Sequence, residues 1–135
     1  MPVSLHIRRG DYVSNDRARK HHGLCSLEYY QEAVERITGK VKNPLFFVFS
    51  DDIAWAKQNL KLDNATFVSN PEIRDYEELL LMSQCRHNII ANSTFSWWAA
   101  YLNKNAKKIV IAPKQWNVKS ASDTLDILPS SWIQL

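Results

Sequence analysis

The stretch SLHIRRGDYV, residues 4–13, sets a histidine, two arginines and an aspartate directly behind an alternating apolar run. Arginines at a strand end suit an anion, because a guanidinium offers a planar fork of donors that matches phosphate oxygens and stays charged at any working pH. Further along, NSTFS, residues 92–96, stands immediately before an apolar helical stretch. Backbone N–H groups at a helix start, with hydroxyls beside them, form an anion site without any glycine-rich loop. A third polar cluster, Ser50, Asp51 and Asp52, follows a continuous apolar run. Together these residues suit the holding of a phosphate or diphosphate.

Each residue also has a plainer reading. Two-residue alternation puts Arg8 on the same strand face as His6 and turns Arg9 the other way. His6 is either a satisfied core histidine or a donor to a phosphate oxygen that also orients Arg8. Arg9 either supports the anion or forms a structural salt bridge to a nearby carboxylate. Asp11 fixes the arginines, serves as a general base, or caps a turn. Ser93 and Thr94 are phosphate ligands or an ordinary N-cap. Asp51 and Asp52 suit a divalent metal or the capping of a helix; with no third carboxylate suitably close in sequence, no metal site is expected. His21 and His22 read as solvated residues on a basic loop. The RGD triplet follows a strand end and is too short to carry a cell-adhesion reading. Asn64 and Asn92 start glycosylation sequons that read as chance. No Gly-x-Ser-x-Gly elbow, Walker loop or zinc-ligand spacing occurs in the sequence.

The elements that must position these groups follow from periodicity. Val3, Leu5 and Ile7 alternate with polar residues, which predicts a strand with one buried face. Ser26 caps a helix carrying Leu27, Tyr30, Val34 and Ile37 on one side and ending at Gly39. Residues 45–49, LFFVF, predict a strand covered on both faces, followed by a helix in DIAWAKQNL. A short third strand over residues 65–68 leads past Asn70-Pro71 to a helix over residues 75–85 with Leu79, Met82 and Tyr76 inward. A fourth strand at residues 88–91 runs into the helix FSWWAAYLN, in which one of Trp97 and Trp98 fills the core and the other is available to a partner domain. A fifth strand, KIVIA, stops at Pro113, and a short helix is expected over residues 123–128. Strands alternating with helices through short loops predict an α/β fold, a Rossmann-like parallel sheet with helices on both faces. In such sheets ligands bind beyond the carboxyl ends of the strands. All three polar clusters project to that edge, and so does the basic loop of residues 13–25.

The 135 residues suit one domain with a real core. Hydrophobic residues make up 45% and charged residues 23%, a globular balance. Seventeen Lys and Arg against fourteen Asp and Glu leave a formal charge of only +3, too little and too dispersed for a nucleic-acid binder. Cys25 and Cys85 lie far apart with no metal-type spacing, which fits a reducing compartment rather than a disulfide scaffold. No apolar run approaches the ~18 residues of a membrane span. Met1-Pro2 enters a strand at once, so the chain is expected to be a piece of something longer.

HIRRGDYV, FVFSDD, LLLMSQCRHNIIANSTFSWWAAYLN, IVIAPKQW and LPSSWIQL, in that order, closely resemble the alpha-1,2-fucosyltransferases of glycosyltransferase family 11. The resemblance covers nearly the whole chain but only the C-terminal half of that family. It implies a GT-B architecture, two Rossmann-like halves with GDP-fucose bound mainly by the C-terminal one, here residues 1–135 with the N-terminal half absent. It assigns Arg8 to the donor pyrophosphate with His6 beside it and Arg9 in support. Ser93 and Thr94, with Phe95 and Ser96, take the role of the phosphate-binding turn. Guanine recognition falls on Glu78, where the family usually carries aspartate; Asp75 and Glu77 are its rivals. The implied chemistry is inverting, metal-independent fucosyl transfer to the 2-hydroxyl of a galactose-containing glycan, with no cofactor besides the donor substrate. Arg8 stabilises the departing GDP and Asp11 is the candidate base. The implied setting is bacterial and cytoplasmic, with peripheral association at the inner membrane; the fragment alone is expected to be inactive. The alternative is a non-enzymatic, flavodoxin-like phosphate- or nucleotide-binding module with no preference for guanine.

Overall fold

The computed structural model describes residues 1–9, 25–114, 116 and 128–135. In chain order these form β1 (Pro2–Ile7), α1 (Leu27–Lys40), β2 (Leu45–Ser50), α2 (Ile53–Asn59), β3 (Ala65–Phe67), α3 (Asp75–Gln84), β4 (His87–Ile89), α4 (Thr94–Leu102), β5 (Val110–Ala112) and β6 (Ile133–Gln134). The six strands make one sheet in the order β3-β2-β1-β4-β5-β6, and every pairing is parallel. Chain direction across the sheet reverses beside β1, which makes the carboxyl ends of β1 and β4 the place where a doubly wound fold opens a crevice.

Alternation along the strands sorts the core into two layers. Val3, Leu5 and Ile7 of β1, Val48 of β2, Ile89 of β4 and Ile111 of β5 pack with Tyr29, Tyr30, Ala33 and Ile37 of α1 and Ala56 of α2. On the opposite face Phe49 meets Met82 of α3 and Ala99 of α4. Ile90, Val110 and Ala112 meet Ala100, Trp116 and Trp132. The second face is threaded with polar groups. Asn88 Nδ2 donates to Ser4 Oγ at 2.6 Å and to Met82 O at 2.9 Å, while Asn103 Nδ2 donates to Asn88 Oδ1 at 2.8 Å and to Cys85 O at 2.9 Å. This network ties the ends of α3 and α4 to β1 and β4.

The helix starts follow ordinary capping chemistry. Ser26 Oγ accepts from Tyr29 N at 3.1 Å and opens α1. Asp52 Oδ1 accepts from Trp55 N at 3.2 Å and opens α2. Two expectations are corrected. Gly39 does not end α1: the helix runs on through Lys40 to a C-cap at Val41, whose N–H donates to Ile37 O, and Gly39 has no left-handed backbone angle. Tyr76 points outward at 59% exposure, since the buried stripe of α3 runs through Met82 with Leu79 packed beside it. The closing segment adds a sixth strand, pairing Ile111 with Ile133. The helix expected over residues 123–128 lies almost wholly outside the described residues, as do Asp11, His21, His22 and the basic loop up to residue 24.

Candidate functional site

β1 ends in a buried histidine followed by two arginines that part company. Its register pairs Ile7 with Ser50 and Leu5 with Ile89, so continuing past the strand end sets Arg8 level with Asp51 on one side and Asn92 on the other. Arg8 Nε lies 3.5 Å from Asp51 Oδ2. The other oxygen of Asp51 accepts from the Arg9 backbone N–H at 2.8 Å, which pins the chain as it leaves the strand. Arg9 turns to the other face: its guanidinium lies 4.1 Å over the Trp55 ring of α2, with Nε 3.6 Å from Asp52 Oδ2. Of the two readings of Arg9, the geometry gives the structural ion pair, reinforced by a cation–π contact.

Arg8 instead lines a cleft of about 400 Å³ at the carboxyl edge, with His6, Ser50, Asp51, Ile53, Ser69, Asn70, Pro71, Ile73, Asp75, Glu78 and Phe95. Groups from β1, the ends of β2 and β3, α3 and the start of α4 therefore converge there. His6 is 4% exposed and stacks obliquely against Phe95 with ring centroids 5.5 Å apart. Burial, with the Arg8 charge beside it, lowers its pKa to about 3. His6 is thus a neutral imidazole at ordinary pH, able to donate one hydrogen bond but unable to add charge. Its Nδ1 is buried without a hydrogen-bond partner among the described residues.

Three acids of α3 compete for a recognition role, and they differ in what they touch. Glu77 Oε1 accepts from Arg74 N at 3.3 Å and so helps to close the start of α3, and it is not among the residues lining the cleft. Asp75 lines the cleft at its exposed rim. Glu78, half-buried, lies with both carboxylate oxygens 2.9 Å from Ser69 Oγ, which itself accepts from Ser50 N at 2.9 Å. Burial raises the Glu78 pKa, the Ser69 hydrogen bond opposes that, and the negative neighbours Asp75 and Asp51 raise it further. Ser69 was not singled out from the sequence; the only cue was its place after the third strand.

The turn into α4 is partly as expected. Ser93 is the N-cap, buried, and its side chain makes no cap hydrogen bond. Thr94 is exposed. Phe95 lines the cleft. Ser96 is fully buried and turned back into the fold, its Oγ accepting from Ala91 N and donating toward Ala91 O, both at 3.2 Å. Its side chain holds the turn, and of residues 93–96 Phe95 alone is among those lining the cleft. Asp52 is engaged as the α2 cap and with Arg9, and no group of three His, Cys, Asp or Glu able to hold a metal occurs among the described residues. Asn92 is buried and donates to Trp116 O at 3.3 Å. Trp97 packs against the second core layer while Trp98 is 49% exposed.

Among curated proteins, an "Alpha-1,2-colitosyltransferase" of Escherichia coli is 41% identical over 98% of this chain and 47% of its own length. The "O-antigen biosynthesis glycosyltransferase WbnK" of Escherichia coli is also 41% identical, over 98% of this chain and 44% of that protein. A "Galactoside alpha-(1,2)-fucosyltransferase 2" of Mus musculus is 33% identical over 74% of this chain and 30% of its own length. The chain thus spans less than half the length of these relatives. No solved structure matches it. The family model described as "Glycosyl transferase family 11" matches residues 2–135, and the chain belongs to that family.

Proposed function

We propose that this chain is the donor-nucleotide half of an inverting alpha-1,2-fucosyltransferase of GT-B architecture, taking GDP-fucose as donor and a galactose-ended glycan as acceptor. The observation that carries the reading is the convergence of Arg8, Phe95 and Glu78 on one cleft at the carboxyl ends of β1, β2 and β3. A cation and a half-buried carboxylate lining one cleft suit a ligand with a diphosphate and a base bearing adjacent N–H groups. Guanine has such an edge and adenine does not.

The chemistry follows from where charge develops. As the glycosyl bond breaks, the sugar becomes cation-like and the terminal phosphate of GDP gains negative charge. Arg8, whose Nε lies 3.5 Å from Asp51 Oδ2, brings its fixed positive charge to that phosphate. The first-turn N–H groups of α4, after Ser93 and Thr94, add a fixed positive potential on the same edge. The proposed mechanism assigns that stabilisation to protein groups and uses no metal. An acceptor hydroxyl attacks the anomeric carbon from the face opposite the departing GDP. Asp11, which lies outside the described residues, is the proposed base. The acceptor side of the cleft is assigned to the further length that the relatives possess, so the chain alone is expected to bind nucleotide and transfer little sugar.

Calorimetric titration with GDP, ADP and pyrophosphate tests the reading. GDP is expected to bind tightest. Equal affinity for all three would favour a phosphate-binding module without base recognition. The described cleft residues address the nucleotide, so the sugar is tested separately, by comparing turnover of GDP-fucose and its colitose counterpart in a chain of the relatives' full length.

A further inference from the structure

Ser69 sits where three elements of the cleft meet: it follows β3, it caps the end of β2 through Ser50 N, and it touches Glu78 of α3. A hydroxyl carries one proton. With the Ser50 N–H directed at Ser69 Oγ, that proton is directed to the Glu78 carboxylate, so the relay runs one way, from the β2 backbone through Ser69 to Glu78. We propose that Ser69 is a positioning residue for base specificity, holding the Glu78 carboxylate ionised and oriented so that it can accept from the N–H edge of a guanine. This inference rests on the proposed reading of the cleft as a guanosine diphosphate site.

The need for such a residue is physical. Glutamate has several rotatable bonds, and an unfixed carboxylate loses rotamer freedom each time it engages a ligand. Glu78 also stands in poor surroundings for an anion. The charged and titratable groups lining the cleft with it are Asp75 from α3, Asp51 from the end of β2, and Arg8 and the neutral His6 from β1. Two of these are carboxylates, and Arg8 is already paired with Asp51. Left alone, Glu78 would swing toward solvent or take up a proton, and a protonated carboxyl no longer offers two acceptors. The Ser69 hydrogen bond works against both outcomes. Ser96 is a useful contrast: its hydroxyl is spent on its own turn and faces no charged group of the cleft.

The test titrates the parent chain, Ser69→Ala, Ser69→Thr and Glu78→Gln with GDP, ADP and pyrophosphate from about pH 5 to about pH 8. Ser69→Ala is expected to weaken GDP roughly tenfold toward the level of ADP, with pyrophosphate affinity unchanged. The acid limb of its GDP binding should move to higher pH, and Ser69→Thr, which keeps the hydroxyl, should restore both. A Ser69→Ala chain that keeps the parental GDP-to-ADP ratio and pH profile, while Glu78→Gln loses them, overturns the role of Ser69 alone. Loss of pyrophosphate affinity in step with GDP overturns it as well, since the residue would then hold the cleft as a whole. A parent chain that binds GDP and ADP equally overturns the guanosine reading itself.

Discussion

Along β1, the residues facing α1 and α2 are Val3, Leu5 and Ile7, none more than 1% exposed, while those facing α3 and α4 are Ser4 and His6. One face of the central strand is built from hydrocarbon and the other from hydrogen-bonding groups, and the division persists past the strand end. Arg9 continues the apolar face and stacks on Trp55 of α2; Arg8 continues the polar face and enters the cleft. The period of two therefore assigns two adjacent, chemically identical side chains to different tasks. The dry face supplies stability by burial, and the polar face carries its pattern into the site.

That division predicts separable effects. Leu5→Ala on the dry face should give the largest loss, about 3 kcal/mol of folding stability, from the transfer and cavity costs of a fully buried leucine. Denaturant unfolding measures it, and the folded fraction should retain the parental GDP affinity. A loss under about 1 kcal/mol would mean that this layer is not the main packed core. Arg8→Ala should do the reverse, with stability little changed and GDP affinity lowered by about 2 kcal/mol, close to thirtyfold. Calorimetry reads the second quantity, and an unchanged dissociation constant would remove Arg8 from the site.

The legibility of these features in the sequence followed the same division. Alternation in residues 3–8 was enough to place Leu5 inside and to separate Arg8 from Arg9, because strand periodicity is local. The sheet type followed from the alternation of strands and helices, and the edge on which polar groups gather followed from the sheet type. What escaped was non-local. β6 has two residues and no pattern of its own; its pairing with β5 depends on tertiary contact. Tyr76 has the right spacing for an inward position but lies in the first turn of α3, where it is exposed. Ser69 gave no motif at all, since its importance comes from Glu78 and Ser50 meeting it in space. Which of Asp75, Glu77 and Glu78 has a fixed carboxylate in the cleft is equally a matter of what lies across from α3.

The polar face should also make the fold acid-sensitive. In the unfolded chain His6 takes up a proton below its ordinary value, whereas in the folded protein burial and Arg8 hold it neutral down to about pH 3. The unfolded state thus binds more protons across that window, and stability rises with pH through it. The contribution is fully present above the ordinary histidine value and is lost as pH falls, reaching about 2 kcal/mol by about pH 5. His87, whose pKa is lowered mainly by burial, acts in the same direction. His6→Gln should flatten the acid limb of a stability-against-pH curve without abolishing it. Parallel loss of stability in the parent and the variant between about pH 7 and about pH 5 would show that His6 is not the group responsible.

The smallest effect is the sharpest test of the division, because it concerns the residue next to Arg8. Arg9 is held by a partly exposed ion pair and a ring contact, each worth on the order of 0.5–1 kcal/mol in such settings, so Arg9→Ala should cost about 1 kcal/mol of stability. Arg9→Lys keeps the charge but gives up the planar stacking on Trp55, and should lie between the two. Both variants should bind GDP within about twofold of the parent, a change of roughly 0.4 kcal/mol. If Arg9→Ala weakens GDP as much as Arg8→Ala does, the two arginines act on the same ligand. The pattern of β1 would then end at Ile7 and could not be what directs Arg8 into the cleft.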